Sequence, residues 1–169
     1  MISGFKKITF LLPFALSSCF RFVDPPQYTQ YRPILLTRES LEKSISFHQA
    51  DKISSPAKIY YKDNYIFISE RYKGVHIIDN SNPAQPLNKG YISVPGCIDM
   101  AIKGNTLYVD NATYLVALNI GNISGSKVEV QKQIKDAFPE LAPPDGRLIP
   151  EKYDIRNRPA NTVIVEWIK

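Results

Sequence analysis

Few side chains in this sequence have the type and spacing that catalysis or metal binding needs. The two histidines, His48 and His76, are far apart in the chain, and no second metal ligand stands beside either. The motifs HExxH, CxxC, GxSxG and GxGxxG are all missing. His76 lies inside the apolar run Val75–Asp79, which favours a structural role in a strand over a metal-binding one. The sequence therefore predicts no catalytic residue, no metal site and no cofactor.

Two further patterns could suggest chemistry, and both favour a structural interpretation. Asp79-Asn80-Ser81-Asn82-Pro83 begins like a calcium-binding loop, but Pro83 takes the fifth position and Gly90 the twelfth, where a bidentate Glu is needed. An Asx-type turn explains this stretch. Cys97 follows Pro95-Gly96 and has no base beside it in the sequence, so we expect a buried thiol that packs in the core.

Acidic and tyrosine side chains near the ends of predicted strands are the remaining candidates for a site. Two carboxylates that meet in a groove could hydrolyse a glycosidic bond. Six acids could take part: Asp63, Glu70, Asp79, Asp99, Asp110 and Asp154. The chain has ten tyrosines, most of them simply good strand formers, but some could form a platform for a glycan, a peptide or a partner protein. We therefore name a possible binding surface of Tyr72, His76, Asp79, Asp110 and Tyr114.

Length and charge narrow the classes of protein. A chain of 169 residues has room for one ordinary domain. It carries 21 Lys and Arg against 16 Asp and Glu, a net charge of +5, but the basic residues are scattered and no aromatic motif accompanies them. This pattern argues against nucleic-acid binding.

The N-terminus has the three parts of a secretory signal. Lys6-Lys7 is followed by the apolar run Ile8–Leu16 and then by Ser17-Ser18-Cys19. A membrane span needs about 20 apolar residues, and this run is shorter and contains Pro13, so a permanent transmembrane anchor is the weaker alternative. The prediction is a signal peptide over residues 1–18, cleaved between Ser18 and Cys19.

The sequence Leu16-Ser17-Ser18-Cys19 resembles the lipobox of bacterial lipoproteins. The resemblance implies that lipid is attached to Cys19 and holds the protein at a membrane. No acidic run of the kind that resembles a surface-export signal of bacterial lipoproteins follows Cys19. The expected location is therefore the cell envelope, on the periplasmic side of the outer membrane. Residues 19–33 contain Pro25-Pro26 and no apolar period, which predicts an extended, lipidated tether.

Beyond the tether, residues 34–169 read as one β-rich domain. A short helix is expected within Leu36–Ile45, with Thr37 as its N-cap. Short β-branched and aromatic runs then alternate with turn residues, as in an antiparallel meander. The predicted strands are Lys58–Tyr61, Tyr65–Ser69, Val75–Asp79, Gly90–Val94, Cys97–Ile102, Leu107–Val109, Leu115–Asn119, Lys127–Ile134 and Thr162–Trp167.

The strand pattern occurs twice. Lys62-Asp63-Asn64 is echoed by Lys103-Gly104-Asn105, and Val75–Asp79 by Leu115–Asn119, at offsets of about 40 residues. A repeat of this length with four strands matches a propeller blade. The repeats cover about residues 56–95 and 96–135. A closed propeller needs more blades than two, so the expected fold is all-β, with two blade-like four-stranded antiparallel units, a short N-terminal helix and a C-terminal strand.

The stretch GVHIIDNSNP at 74–83 and its partner LVALNI at 115–120 resemble the LVIVD repeat, a β-propeller-type repeat of extracytoplasmic bacterial proteins. The layout of the whole chain is similar to an uncharacterised family of Bacteroidetes lipoproteins. The resemblance implies a fold and a location but no reaction. Asn119 replaces the motif's Asp in the second repeat, which argues against a shared chemical task for that residue.

Three functions remain open at this point. The first is a lipid-anchored cell-envelope binding module without catalytic activity, with a protein or glycan partner. The second is a carbohydrate-active enzyme that uses strand-end carboxylates. The third is a structural envelope component that assembles through its repeats, although we expect a monomer in which the two sheets pack together.

Overall fold

A computed structural model describes residues 24–123 and 127–169. The predicted signal peptide and the predicted lipidation site, Ser18 and Cys19 included, lie outside the described residues. Within these described residues the fold is all-β with one short helix, and the sheets do not close into a barrel. In chain order the elements are β1 (Arg32–Thr37), α1 (Arg38–Glu42), β2 (Ser46–His48), β3 (Pro56–Lys62), β4 (Tyr65–Glu70), β5 (Gly74–Asp79), β6 (Leu87–Ser93), β7 (Met100–Lys103), β8 (Thr106–Asn111), β9 (Tyr114–Asn119), β10 (Glu129–Ile134) and β11 (Thr162–Ile168), with a 3-10 turn at Glu151–Tyr153.

The two repeats form two antiparallel sheets. The first sheet has the order β2-β6-β5-β4-β3 and the second the order β10-β9-β8-β7. Each strand predicted within the repeats is present. The first sheet has a fifth strand that was not predicted, because β2 pairs with β6 through only three residues, from Ser46 opposite Ser93 to His48 opposite Tyr91. Three residues are too few to show an alternating pattern.

Equivalent residues make equivalent bonds in the two units. The carbonyl of Asn64 accepts a hydrogen bond from the Asn80 amide at 2.7 Å, and that of Asn105 accepts one from the Ile120 amide at 2.9 Å. The turn before β5 holds Tyr72 at φ 66°, and the turn before β9 holds Ala112 at φ 56°. The sheets therefore repeat as the sequence offset predicts.

The two sheets share one hydrophobic core, to which each contributes a single face. Phe67, Val75 and Ile77 of the first sheet are buried in it together with residues from every strand of the second except β10. Tyr60 Oη donates a hydrogen bond across this interface to the Ile102 carbonyl at 3.2 Å. The second sheet contributes Met100, Ile102, Leu107, Val109, Val116 and Leu118.

The predicted helix is present but shorter than expected. It covers Arg38–Glu42, and the Thr37 hydroxyl accepts from the Ser40 amide at 3.1 Å, so the predicted N-cap is confirmed. Leu41 is buried, and its carbonyl accepts a hydrogen bond from Asn111 Nδ2 at 3.2 Å. This contact attaches the helix to the second sheet.

The N-terminal part of the domain begins earlier than predicted. Tyr28 forms a parallel bridge with Leu148, and Thr29 is buried and donates through its hydroxyl to Asp145 at 2.9 Å. Strand β1 begins at Arg32, inside the segment 19–33 that the sequence predicts as a tether. The prediction of a tether up to residue 33 is therefore wrong. The segment has no apolar period, but the hydrogen bond of Thr29 and the bridge between Tyr28 and Leu148 hold it against the domain.

Strand β1 pairs with the predicted C-terminal strand β11 in a two-stranded ribbon. The register with β1 shifts at Val165, between the pairs Ile34–Glu166 and Leu35–Ile164, and this irregularity interrupts the alternation of β11 side chains. Val163 and Val165 join the main core, while Ile164 and Trp167 form a second cluster with Leu141. The ribbon therefore connects the core of the two sheets to the segment around Leu141.

Gly74 is the position where an added side chain would be least tolerated. A Cβ there would lie 1.9 Å from the Ile92 carbonyl oxygen, and the residue has φ +150°. We expect Gly74→Ala to lower the free energy of unfolding by about 2–3 kcal/mol, because the paired strands β5 and β6 must separate. Urea unfolding followed by circular dichroism measures this loss.

Gly104→Asp is the matched control for Gly74→Ala. A Cβ at Gly104 meets nothing within 4 Å, and the equivalent turn residue of the first unit, Asp63, already adopts φ 54°. Gly104 itself has φ +57°, where an L residue costs about 1 kcal/mol, so the control should lose clearly less stability than Gly74→Ala. Equal losses in the two variants would contradict the steric explanation.

Candidate functional site

The five residues predicted as a binding surface do not form one. His76 and Tyr114 are fully buried, and Asp79 lies in a turn at the far end of β5 from Tyr72. Asp110 lies on β8. These residues are therefore spread over both sheets, and two of them are enclosed in the interior.

Tyr114 holds the helix to the second sheet. Its hydroxyl donates to Glu42 Oε1 at 3.3 Å and accepts from Arg38 Nη1 at 3.4 Å. Its ring is inside the main core. Tyr114 is therefore a packing residue and is not available to a ligand.

Asp79 closes a turn, as its equivalent does in the second unit. Asp79 Oδ1 accepts from the Ser81 amide at 2.9 Å, and Asn119 Oδ1 accepts from the Gly121 amide at 2.9 Å. The Ser81 hydroxyl also donates to Asp79, and these bonds lower the pKa of its carboxyl. The Asx-turn interpretation of this loop is confirmed.

Because Asn119 forms the same turn, we expect Asp79→Asn to leave the melting temperature unchanged. Asp79→Ala should lower it, since the Ser81 amide loses its acceptor. Differential scanning calorimetry of both variants checks this expectation. A drop for Asp79→Asn as large as that for Asp79→Ala would mean that the charge itself matters.

An apolar cleft on the second sheet is the best candidate for a binding site. It encloses about 560 Å³ between the outward side of β7 to β9 and the segment Phe138–Ala142. Tyr108 and Phe138 remain 36% and 40% exposed there, so aromatic surface is open to solvent. Its lining is Lys58, Ile98, Asp99, Met100, Ala101, Tyr108, Val109, Asp110, Ala112, Leu115, Phe138, Pro139, Glu140, Leu141 and Ala142.

One wall of this cleft is held by a buried arginine. Arg158 donates to Glu140 Oε2 at 2.8 Å and forms a second bond to Glu140 Oε1, and it also donates to the Thr162 carbonyl at 3.1 Å. Trp167 Nε1 donates to the Leu141 carbonyl at 3.0 Å. The ribbon strand β11 and the residues before it therefore fix the position of the wall.

Two carboxylates stand at the polar end of the cleft. Asp110 Oδ1 accepts from the amides of Ile98 and Asp99 at 2.9 and 2.8 Å, yet burial raises the pKa of the Asp110 carboxyl. The hydrogen bond from Lys58 Nζ, at 2.6 Å, lowers the pKa of the Asp99 carboxyl. The cleft thus combines an apolar floor with a polar edge that holds two carboxylates and the Lys58 ammonium group.

Cys97 lies in the core, in the segment before β7 that also carries Asp99. Its side chain is fully buried, and burial raises the pKa of its thiol well above the usual value. Nearby Asp110 raises it further. The geometry therefore favours the expected packing role for Cys97, because a neutral, enclosed thiol is a poor nucleophile.

A second, polar pocket of about 550 Å³ lies between the first sheet and the β1–β11 ribbon. At its base, buried Glu70 accepts from His76 Nε2 at 2.6 Å, from Lys73 Nζ at 3.4 Å and from the Ser54 hydroxyl. Burial alone would raise the pKa of Glu70, but the hydrogen bonds and the charge of Lys73 lower it to about 2. Its carboxylate is ionised at neutral pH and can only accept.

The Glu70–His76 pair is present in the first unit alone. Asn111 and Val116 occupy the equivalent positions of the second unit. His76 packs against Tyr91 with the ring centroids 4.7 Å apart, and His76 Nδ1 has no hydrogen-bond partner among the described residues. Because His76 is wholly enclosed, the pair stabilises the hairpin β4–β5 and does not reach the pocket opening.

Sequence reasoning missed the aromatic wall, the arginine that holds it and the buried pair. The FPELAPP stretch has no period, so only its loop character could be predicted. The pair left a detectable signal, since Glu70 and His76 occupy the same face of two strands joined by a tight turn. No signal in the sequence links Arg158 to Glu140.

Residues 24–123 and 127–169 contain neither a metal-binding cluster nor a helix suited to crossing a membrane. No three His, Cys, Asp or Glu side chains come close enough together there to hold a metal ion. Those ranges also contain no helix whose length and apolarity would suit it to crossing a bilayer.

Comparison with known proteins adds no relative. No protein-family model matches the chain, and neither the curated proteins nor the solved structures contain a match.

Proposed function

We propose that this protein is a lipid-anchored binding module of the cell envelope without catalytic activity, and that it binds a partner protein through the apolar cleft. The observation that supports this most is the cleft itself, in which exposed Tyr108 and Phe138 flank an apolar floor. Enclosed apolar surface with a few polar groups at its edge is typical of binding sites.

The chemistry of the cleft favours an apolar side chain with a basic neighbour. Aromatic and aliphatic groups that fill such a pocket contribute most of the energy in protein interfaces. Asp110 at the edge would attract a positive charge next to that group, whereas Asp99 is already paired with Lys58. A glycan that stacks on Tyr108 and Phe138 is the alternative partner.

An uncharged fluorescent probe, N-phenyl-1-naphthylamine, tests whether the cleft binds apolar groups. The full chain carrying Cys19→Ser, which cannot be lipidated, should bind it saturably. Phe138→Ala should weaken binding by about ten- to hundredfold, because an aromatic wall that contributes about 1.5–3 kcal/mol is lost.

Ile155→Ala is the control for this measurement. Ile155 is 67% exposed and is not part of the cleft. It should bind the probe as wild type does. Absence of saturable binding, or equal weakening in both variants, would refute the cleft as a binding site.

The lipid anchor is tested separately. Mass spectrometry of the N-terminal peptide from native material should find residues 1–18 removed and acyl chains on Cys19. Membrane fractionation should place the protein in the outer membrane, protected from protease added to whole cells. An intact Met1, or an unmodified thiol at position 19, would contradict this part of the proposal.

A carbohydrate-active enzyme is the second candidate. Asp99 and Asp110 line one cleft and their pKa values are shifted in opposite directions, as in pairs that divide acid and base roles. Both carboxylates, however, are already bonded to backbone amides. Asp110→Asn keeps the acceptor for these amides, so it should abolish hydrolysis of a glycan panel if the enzyme proposal holds and should leave probe binding unchanged.

A further inference from the structure

The first sheet has an outer apolar face that nothing in the described chain fully covers. We call Ile59, Tyr61, Ile66, Ile68 and Ile78 the first-sheet outer face, since strand pairing places them side by side. Ile59 and Tyr61 are 65% and 61% exposed, and the other three are half-buried. Clustered apolar side chains of this kind mark an interaction surface.

The second unit shows what such a face packs against. The equivalents of the five residues are Met100, Ile102, Leu107, Val109 and Leu118, and all of them are buried in the core that the two sheets share. The surface that is a buried interface in the second unit is therefore only partly covered in the first, where Ile59 and Tyr61 are exposed.

On the outward side of the second sheet the relation is reversed, because its residues correspond to residues that are buried in the first unit. We call Tyr108, Leu115 and Ala117, which strand pairing places side by side, the second-sheet outer face, and Tyr108 and Leu115 also line the apolar cleft. Their equivalents in the first unit are Phe67, Val75 and Ile77, the three residues that face the second sheet in the core. Each chain thus carries an unused copy of both halves of its own internal interface.

We propose that the partner of the cleft is a second copy of this chain, bound head to tail so that the second-sheet outer face of each copy covers the first-sheet outer face of the other. This inference rests on the proposed function and names its partner. A two-fold axis makes the two interfaces identical and leaves no end open. Two copies supply four blade-like sheets, the smallest number usual for a closed ring.

The charges beside the interface fit this arrangement. Lys58, just inside β3, and Asp99, just before β7, are equivalent residues of the two units, and they form an ion pair at 2.6 Å within the chain. In a closed ring of alternating units, Asp99 of each copy would also stand next to Lys58 of its partner. The signs alternate around the ring, so no like charges meet.

Sedimentation of the full Cys19→Ser chain over a range of concentrations tests the proposal. Wild type should dimerise reversibly, and Ile59→Glu/Tyr61→Glu should weaken the dimer at least tenfold, because it buries uncompensated charge. Tyr108→Glu, on the other face, should weaken it equally. Ile155→Glu, at an exposed site off both faces, should dimerise as wild type does. All four positions are exposed to solvent in the single chain, and circular dichroism checks that each variant is folded.

Mixing the two variants distinguishes the head-to-tail dimer from other arrangements. The Ile59→Glu/Tyr61→Glu chain keeps its second-sheet outer face, and the Tyr108→Glu chain keeps its first-sheet outer face. An equimolar mixture should therefore form a heterodimer with one intact interface, weaker than wild type but tighter than either variant alone. Failure of the mixture to associate would overturn the head-to-tail arrangement.

Probe binding separates this inference from the proposed function. If the dimer forms as proposed, raising the protein concentration should expel N-phenyl-1-naphthylamine from the cleft, and Ile59→Glu/Tyr61→Glu should prevent that expulsion. A wild-type chain that stays monomeric and binds the probe at every concentration would overturn the dimer and leave the binding module standing. A chain that does neither would overturn both.

Discussion

Glu70→Ala should lower the free energy of unfolding by about 3 kcal/mol, and the melting temperature by about 6–12 °C. The side chain is 4% exposed and accepts from His76, Lys73 and Ser54. Its removal leaves the buried His76 ring without the partner of its Nε2, and an unpaired buried donor carries the full cost of desolvation. Urea unfolding at pH 7 measures the loss.

The second unit provides the control for this prediction. Glu70→Asn combined with His76→Val reproduces the Asn111 and Val116 found at the equivalent positions. Replacing both partners of a buried pair is often close to neutral, so the double variant should be clearly more stable than Glu70→Ala. A double variant as unstable as the single one would show that the other bonds of Glu70, to Ser54 and Lys73, dominate.

The same carboxylate should make stability depend on acidity. The pKa of Glu70 is lowered from 4.5 to about 2 on folding, so its contribution is fully present above pH 4.5 and is lost as the pH falls towards 2. The loss should amount to about 3 kcal/mol for this group. Glu70→Gln should flatten this part of the stability profile. A profile with the same slope in the variant would contradict the assignment.

Arg158→Lys is the second change with a large expected effect. Arginine 158 is 2% exposed and makes a forked contact with Glu140 that lysine cannot reproduce. We expect a loss of about 3 kcal/mol in unfolding free energy and about tenfold weaker probe binding, because the Phe138–Ala142 wall loses its anchor. Denaturant unfolding and fluorescence titration measure the two effects.

Arg156→Lys is the matched control. Arg156 pairs with Asp154 at the surface, where its side chain is 80% exposed, and such pairs contribute little. The control should behave as wild type in both measurements. If Arg158→Lys unfolds normally but still loses probe binding, the arginine acts on the wall alone and not on global stability.

Most of the strands could be predicted because their own residues indicate a strand. Runs such as Tyr65–Glu70 are rich in β-branched and aromatic residues and end at turn formers, so their existence and their repetition follow from composition. The short strand β2 and strand β1 carry no alternation of this kind. They exist because β6 and β11 offer unpaired edges, and this is a tertiary effect.

The candidate site could not be predicted for a related reason. Its wall comes from a proline-rich loop, and its position depends on contacts between Glu140 and Arg158 and between Leu141 and Trp167, pairs far apart in the sequence. Of the predicted surface residues only Asp110 lines the cleft. The position of a residue near the end of a strand does not determine at which edge of the sheet it lies. His76 and Tyr114 are fully buried, so neither is available at a surface.

The enclosure of Cys97 has a consequence for handling and for assays. A neutral sulfur that solvent does not reach should not react with alkylating reagents while the sheets stay together, and it should not cross-link copies under oxidising conditions. Labelling at this position therefore reports opening of the interior. The rate of this labelling measures how often the two sheets open, and no residue has to be introduced for the measurement.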